Sequence, residues 1–222
     1  MGLFITFEGI EGCGKTTQMK LLAKDLEEKG RTPVMTREPG GCPIADQIRN
    51  LLLDAANSRM VPLAELFLYS AARAQHVSEV ITPALAAGKI VLCDRFTDAT
   101  IAYQGHGRQL DLLLIEQLNL LATTLVRPQL TILLDCPVEV GLGRAMARIS
   151  STTGAKEERF EQESVLFHNR VRNGYLQLAT AAPDRFIIIN GDGNIKEVHA
   201  AIASAVLPRL AGGAGSCRSP IL

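Results

Sequence analysis

The chain has 222 residues, 47% of them hydrophobic, and its 23 basic and 23 acidic side chains cancel. That length and composition predict a single folded domain over about residues 1–210, with a sizeable core, and exclude global disorder. The charge balance argues against a broad nucleic-acid footprint, and no apolar run reaches the roughly 18–20 residues needed to span a bilayer.

The N-terminal "MGLFITFEG" is too short, and lacks the basic start, to be a signal peptide, so residues 3–7 read as a first strand and the chain as cytoplasmic. A helix is predicted from about residue 15 to 29, where Gly30 stops it. Residues 32–36 read as the next strand, followed by the loop "REPGGCP". Helices are predicted at about 44–53 and 63–87, the second bent near Pro83. "KIVLCD", "LTILLD" and "RFIIIN" are further apolar runs, each ending in a polar residue. Helical periodicity recurs at about 110–125, 138–149, 161–182 and 195–210. This alternation predicts an α/β fold, a parallel sheet covered on both faces, with ligands beyond the carboxyl ends of the strands. The polar segment "SSTTGAKEER" reads as a lid or a solvated loop over about residues 150–160, and the glycine-rich tail 211–222 as frayed.

Gly9-x4-Gly14-Lys15-Thr16 fits the phosphate-loop pattern GxxxxGK[ST] between a strand and a helix. Gly9, Ile10, Glu11, Gly12, Cys13, Gly14, Lys15, Thr16 and Thr17 are therefore the expected ATP-binding residues. Inward-pointing N–H groups and the helix N-terminus would hold phosphate, Lys15 would reach the β- and γ-phosphates, and Thr16 would ligate Mg²⁺. A GTPase switch is disfavoured, because no aspartate is followed by glycine three positions on and no Asn-Lys pair occurs. A motor or transport ATPase could use Asp135 of "LTILLD", which leaves the basic and aromatic residues elsewhere without a role. Asp94-Arg95 directly follows a strand. The aspartate can help hold the metal or orient the acceptor, and the arginine can clamp phosphate. The five cysteines are scattered and read as reduced thiols, with Cys13 a possible accessible oxidation target.

"FEGIEGCGKTT", "TREPGG", "ELFLYSAARAQH", "VLCDRF…AYQG" and "RFEQES", in this order and spacing, make the sequence resemble the bacterial thymidylate kinases over nearly its whole length. The resemblance implies a nucleoside-monophosphate-kinase fold with a five-stranded parallel sheet, a homodimer, and Mg²⁺-dependent phosphoryl transfer from ATP to dTMP. Carried over by motif, Arg95 and Arg49 contact the dTMP phosphate and Glu38 lies in the same site. Arg73 hydrogen-bonds the thymine, Tyr69 stacks on it, and Gln104 belongs to the base pocket. Tyr103 sits against the sugar, and Glu11 approaches the 3′-hydroxyl side. Tyr69 and Arg73 are four residues apart and share a helix face, as a ring and a donor fork for a pyrimidine should.

Two positions depart from the family pattern: Tyr69 replaces a common Phe, and Ala99 a frequent Ser, whose contact falls to Thr100. The phosphate loop carries no basic residue between Gly9 and Lys15, so the mobile catalytic charge is expected from the lid, carried by Arg148 and Arg159, with Arg144 and Lys156 nearby. The loop "NGDGN" is a geometric candidate for the adenine. A kinase of another small acceptor, or a nucleotide-dependent binding module without transfer, are the alternatives.

Overall fold

Five short strands line up in parallel because every connection between them is long enough to carry helix. In the computed structural model they are β1 (Leu3–Glu8), β2 (Val34–Arg37), β3 (Ile90–Asp94), β4 (Leu130–Asp135) and β5 (Phe186–Asn190). Their order is β2-β3-β1-β4-β5. The structure describes residues 2–151, 159–161 and 163–211. Residues 152–158 of the expected lid, Lys156 among them, and the tail from 212 lie outside the described residues.

β1 is the central strand, and its successive side chains serve opposite faces. Ile5 and Phe7 join Leu22 and Leu26 of α1 (Lys15–Glu28), whereas Phe4 joins Val77, Ile81 and Phe96 on the other side. Such two-sided burial explains why the strands read as near-continuous apolar runs. The register pairs Phe7 with Asp94 and Arg37 with Asp94, so the loops after β1, β2 and β3 emerge side by side.

The remaining helices are α2 (Pro43–Leu53), α3 (Pro62–His76), α4 (Thr82–Ala86), α5 (Thr97–Thr100), α6 (Leu112–Thr123), α7 (Val138–Ser151), α8 (Val165–Ala181) and α9 (Ile195–Ala211). The helix predicted over 63–87 is divided. A π-helical turn, Val77–Ile81, separates α3 from α4, where Pro83 has no N–H to offer the preceding turn. The helix predicted from 161 starts later, because the Ser164 hydroxyl caps α8 by accepting the Phe167 N–H at 3.2 Å. Residues 97–107, which carry no helical period in the sequence, form α5 and a second π-helical turn, Ile101–Gly107. No described helix is long and apolar enough to cross a membrane.

Candidate active site

The phosphate loop joins β1 to α1. Gly12 (φ 67°) and Gly14 (φ 97°) adopt left-handed backbone that a side chain would strain. At Gly12 a second constraint applies: a Cβ there would overlap the Gly141 carbonyl of α7, and a Cβ at Gly141 would overlap the Glu11 carbonyl. Loop and helix thus meet backbone to backbone. Lys15 is folded back into the loop, where Nζ donates to the carbonyls of Ile10 (2.8 Å) and Gly9 (3.1 Å). Cys13 is buried and its Sγ lies 3.5 Å from Lys15 Nζ, so the accessible thiol expected from its loop position is not there. Cys42, Cys93 and Cys136 are likewise free and buried.

Thr16 Oγ1 donates to Asp94 Oδ2 at 2.5 Å, which brings the two expected metal residues together at the loop mouth. A hydroxyl and a carboxylate are hard oxygen donors that suit Mg²⁺, an ion that keeps several waters and shares phosphate oxygens. Among the described residues no group of three or more His, Cys, Asp or Glu could hold a metal without such help.

Arg95 follows β3 in the left-handed region (φ 70°), held by its N–H donating to Phe7 O at 2.9 Å. Its guanidinium donates to Gly9 O (2.8 Å), the hydroxyls of Tyr175 and Tyr103 (both 3.0 Å) and Glu11 Oε1 (3.1 Å). Glu11 Oε1 also accepts the Tyr103 hydroxyl at 2.5 Å. Burial would raise the Glu11 carboxyl, but His168, Arg95 and Lys15 around it outweigh that and bring it down to about 2. Glu8, below the loop, behaves oppositely: burial and then the charge of Asp98 push it up to about 8, against the pull of Arg95. Its two oxygens accept the Phe96 N–H and the Tyr175 hydroxyl, each at 2.7 Å.

The other end of the crevice is built from side chains that fix one another. Buried Arg73 donates to Glu38 Oε2 (2.8 Å), Asn119 Oδ1 (2.7 Å), Thr100 Oγ1 (2.9 Å) and Phe96 O (3.1 Å). The second oxygen of Glu38 lies 2.9 Å from His76 Nδ1, and His76 Nε2 lies 2.6 Å from Thr36 Oγ1. Tyr69 faces Phe160 with ring centroids 6.4 Å apart, and burial, with Glu65 nearby, pushes its hydroxyl well above the ordinary range. Gln104 Nε2 donates to the fully buried Glu65 at 2.8 Å.

Between these ends lies a cavity of about 390 Å³. Glu11, Glu38, Arg49, Tyr69, Arg73, Arg95, Thr100, Tyr103 and Gln104, all expected around the acceptor, line it together with Lys15, Thr16, Asp94 and Arg148. Arg159 does not. It is buried beside Glu65, with Nη1 at 2.7 Å from Oε2 and Nε donating to Leu52 O, and its guanidinium lies over the Phe160 ring. Arg144 reaches the "NGDGN" loop, donating to the carbonyls of Gly191 (2.9 Å) and Asp192 (3.2 Å). Sequence reasoning missed Glu65, His76, Asn119, His168 and Tyr175. Glu65 and His76 did leave a signal, standing four before Tyr69 and three after Arg73 on the same helix.

A glycine loop of the phosphate-loop pattern at one end of the crevice, and buried, mutually bonded side chains at the other, with one cavity between them, place the chain in the class of phosphate-loop nucleoside-monophosphate kinases. Residues 7–202 match the family described as thymidylate kinase. A relative from Geotalea daltonii named thymidylate kinase is 68% identical over 96% of this chain and 100% of its own length. One from Citrifermentans bemidjiense, of the same name, is 65% identical over 95% of this chain and 93% of its own. The crystal structure of thymidylate kinase from Ehrlichia chaffeensis superposes with a TM-score of 0.74 at 36% identity, covering 93% of this chain and 98% of that one. The chain belongs to the thymidylate kinase family.

Proposed function

We propose that the two ends of the crevice divide the family's reaction, ATP + dTMP → ADP + dTDP, with phosphates held at the loop and the base at the end lined by Tyr69, Arg73 and Gln104. The observation that carries this reading is the convergence of all nine expected acceptor residues on the cavity that the phosphate loop also lines. Lys15 leaves the carbonyls of Gly9 and Ile10 to meet the β- and γ-phosphates, and the loop N–H groups and the start of α1 hold the remaining oxygens. Thr16 and Asp94 would hold Mg²⁺, which when bound neutralises charge on the phosphate oxygens. Arg95, already gripped by Glu11, Tyr103 and Tyr175, presents an oriented guanidinium to the dTMP phosphate, with Arg49 beside it.

Such a reaction is accelerated by alignment of donor and acceptor, which can supply about 7–11 kcal/mol for well-oriented reactants, and by neutralising charge on the moving group. Arg148, exposed and lining the cavity near Glu161, takes the contact to the transferred phosphoryl group, whereas Arg159 braces the pocket floor through Glu65. Tyr69 offers its ring to the base, Gln104 and Arg73 its polar edge, and Tyr103 sits against the sugar. A homodimer and a cytoplasmic location belong to the same reading. Leu63 and Phe67 on α3, and Leu113 and Leu121 on α6, are large apolar side chains left exposed, which suits the first, and four buried free thiols suit a reducing compartment.

The test is Mg²⁺-dependent ADP release from ATP with dTMP, dUMP, dCMP, AMP or no acceptor. Strong stimulation by dTMP, with dTDP recovered, is expected. Stimulation by a different acceptor alone would overturn the pocket assignment, and none by any would leave a binding module.

A further inference from the structure

We propose that Glu65, which does not line the substrate cavity, sets which pyrimidine the pocket accepts, by locking the side-chain amide of Gln104 with its carbonyl turned toward the base. The inference rests on the reading of this pocket as the acceptor-base site.

Glu65 is fully buried on α3 and receives donors from three side chains. Gln104 Nε2 donates to Oε1 at 2.8 Å, Arg108 donates from Nε to Oε1 (3.3 Å) and from Nη2 to Oε2 (3.2 Å), and Arg159 Nη1 lies 2.7 Å from Oε2. A carboxylate clasped by two guanidinium groups has only acceptor oxygens to offer. The end of the Gln104 amide that faces it must therefore be the NH₂ group. The opposite orientation would press a carbonyl oxygen against a carboxylate oxygen inside a dry site, where such a mismatch is most costly. An amide of this kind is otherwise free to turn over, presenting donor or acceptor as its ligand demands. Glu65 removes that freedom before any ligand arrives.

The consequence is read at the cavity that Gln104 and Arg73 both line. The Gln104 carbonyl makes no hydrogen bond to any described residue, and Gln104, itself buried, lines the cavity, which leaves that acceptor to whatever the cavity holds. Arg73 carries donors only. A 4-oxo pyrimidine presents an N3–H donor beside a carbonyl acceptor, which this acceptor and donor complement. Cytosine presents the reverse, a bare N3 acceptor beside an amino donor, and so sets acceptor against acceptor and donor against donor. Glu65 is thus a positioning residue. It discriminates by denying the pocket the amide flip that would accommodate cytosine.

The experiment is kcat/KM for dTMP, dCMP and N3-methyl-dTMP with the wild type, Glu65→Gln, Gln104→Leu and the double variant, with melting curves for each. The wild type is expected to phosphorylate dTMP, to prefer it over dCMP by at least about 1,000-fold, and to lose about 100-fold on N3-methylation. Glu65→Gln should narrow the dTMP:dCMP ratio at least about tenfold, mainly through KM, and should leave it unmoved in the Gln104→Leu background. If Glu65→Gln does not fold, Glu65→Asp keeps a charge for Arg108 and Arg159 while withdrawing the acceptor from Gln104, and must narrow the ratio in the same direction. A folded variant that keeps the wild-type ratio, or a wild type indifferent to N3-methylation, overturns the proposal. Wild-type enzyme inactive on dTMP would instead overturn the assignment of the pocket itself.

Discussion

The phosphate loop and the base pocket face one another across a single cavity, yet they are made in different ways. The loop is a contiguous segment whose shape follows from its own glycines and the helix behind it, and the groups proposed to hold phosphate there are mostly backbone. The pocket is assembled from β2, α3, α5, the π-helical turn after it and α6, and the groups proposed to hold the acceptor are side chains. Each of these is oriented by another: Arg73 by Glu38, Asn119 and Thr100, and Gln104 by Glu65. Backbone sites tolerate change around them, whereas a side-chain site fails through its supports. Variants at the two ends should therefore fail differently.

The largest effect is expected at the phosphate end of the cavity. Lys15→Ala and Arg95→Ala should each lower kcat at least about 100-fold by removing a charge contact to the transferred or accepting phosphate. Near-normal turnover in a folded variant would break the assignment. Next, Arg73→Ala should raise the KM for dTMP about tenfold or more and also cost about 3–5 kcal/mol in stability, because buried Glu38 loses its guanidinium and keeps only His76. Arg73→Lys should restore little, since one ammonium cannot span four acceptors. A purely kinetic defect with unchanged melting would show that the pocket does not depend on mutual support.

The two arginines expected from the lid sharpen the contrast. Arg148→Ala should lower kcat about tenfold or more with stability unchanged within about 0.5 kcal/mol, as its side chain is 63% exposed. Arg159→Ala should chiefly lower the melting temperature, because it uncovers part of the buried Glu65 charge. Reversed phenotypes would exchange their roles.

The last effect is one of pH. Glu8 has a folded pKa of about 8 against an ordinary 4.5, so between those values the folded chain binds more protons than the unfolded one. Its contribution is fully present below about 4.5 and is lost as pH rises toward 8. Glu8→Gln should flatten stability across that window in melts at successive pH values. Parallel slopes for the two proteins would remove Glu8 as the cause.

This division also governs what was legible in the sequence. Gly9 to Thr17 could be read directly, because spacing alone states that backbone will curl there. The sheet was legible from its apolar runs, and the order of motifs along the chain carried Tyr69, Arg73 and Gln104 through family resemblance. The supports were not legible. Tyr175 meets Glu8 across 167 positions, Asn119 meets Arg73 across 46, and no local pattern announces either pairing. The π-helical turn that carries Tyr103 and Gln104 was invisible for a related reason, since five-residue hydrogen bonding leaves no mark on a 3.6-residue period.

The seam between Gly12 and Gly141 has a mechanical consequence. Two backbones in direct contact leave no side chain that could rotate, compress or slide between them. The first turn of α7 is therefore anchored to the phosphate loop, and the seam acts as a fulcrum. Any swing that carries Arg148 relative to bound phosphate has its pivot beyond residue 141, on a lever of about two helical turns. Even an alanine at either glycine would shim that fulcrum and displace the far end of the lever while leaving every charged group in place.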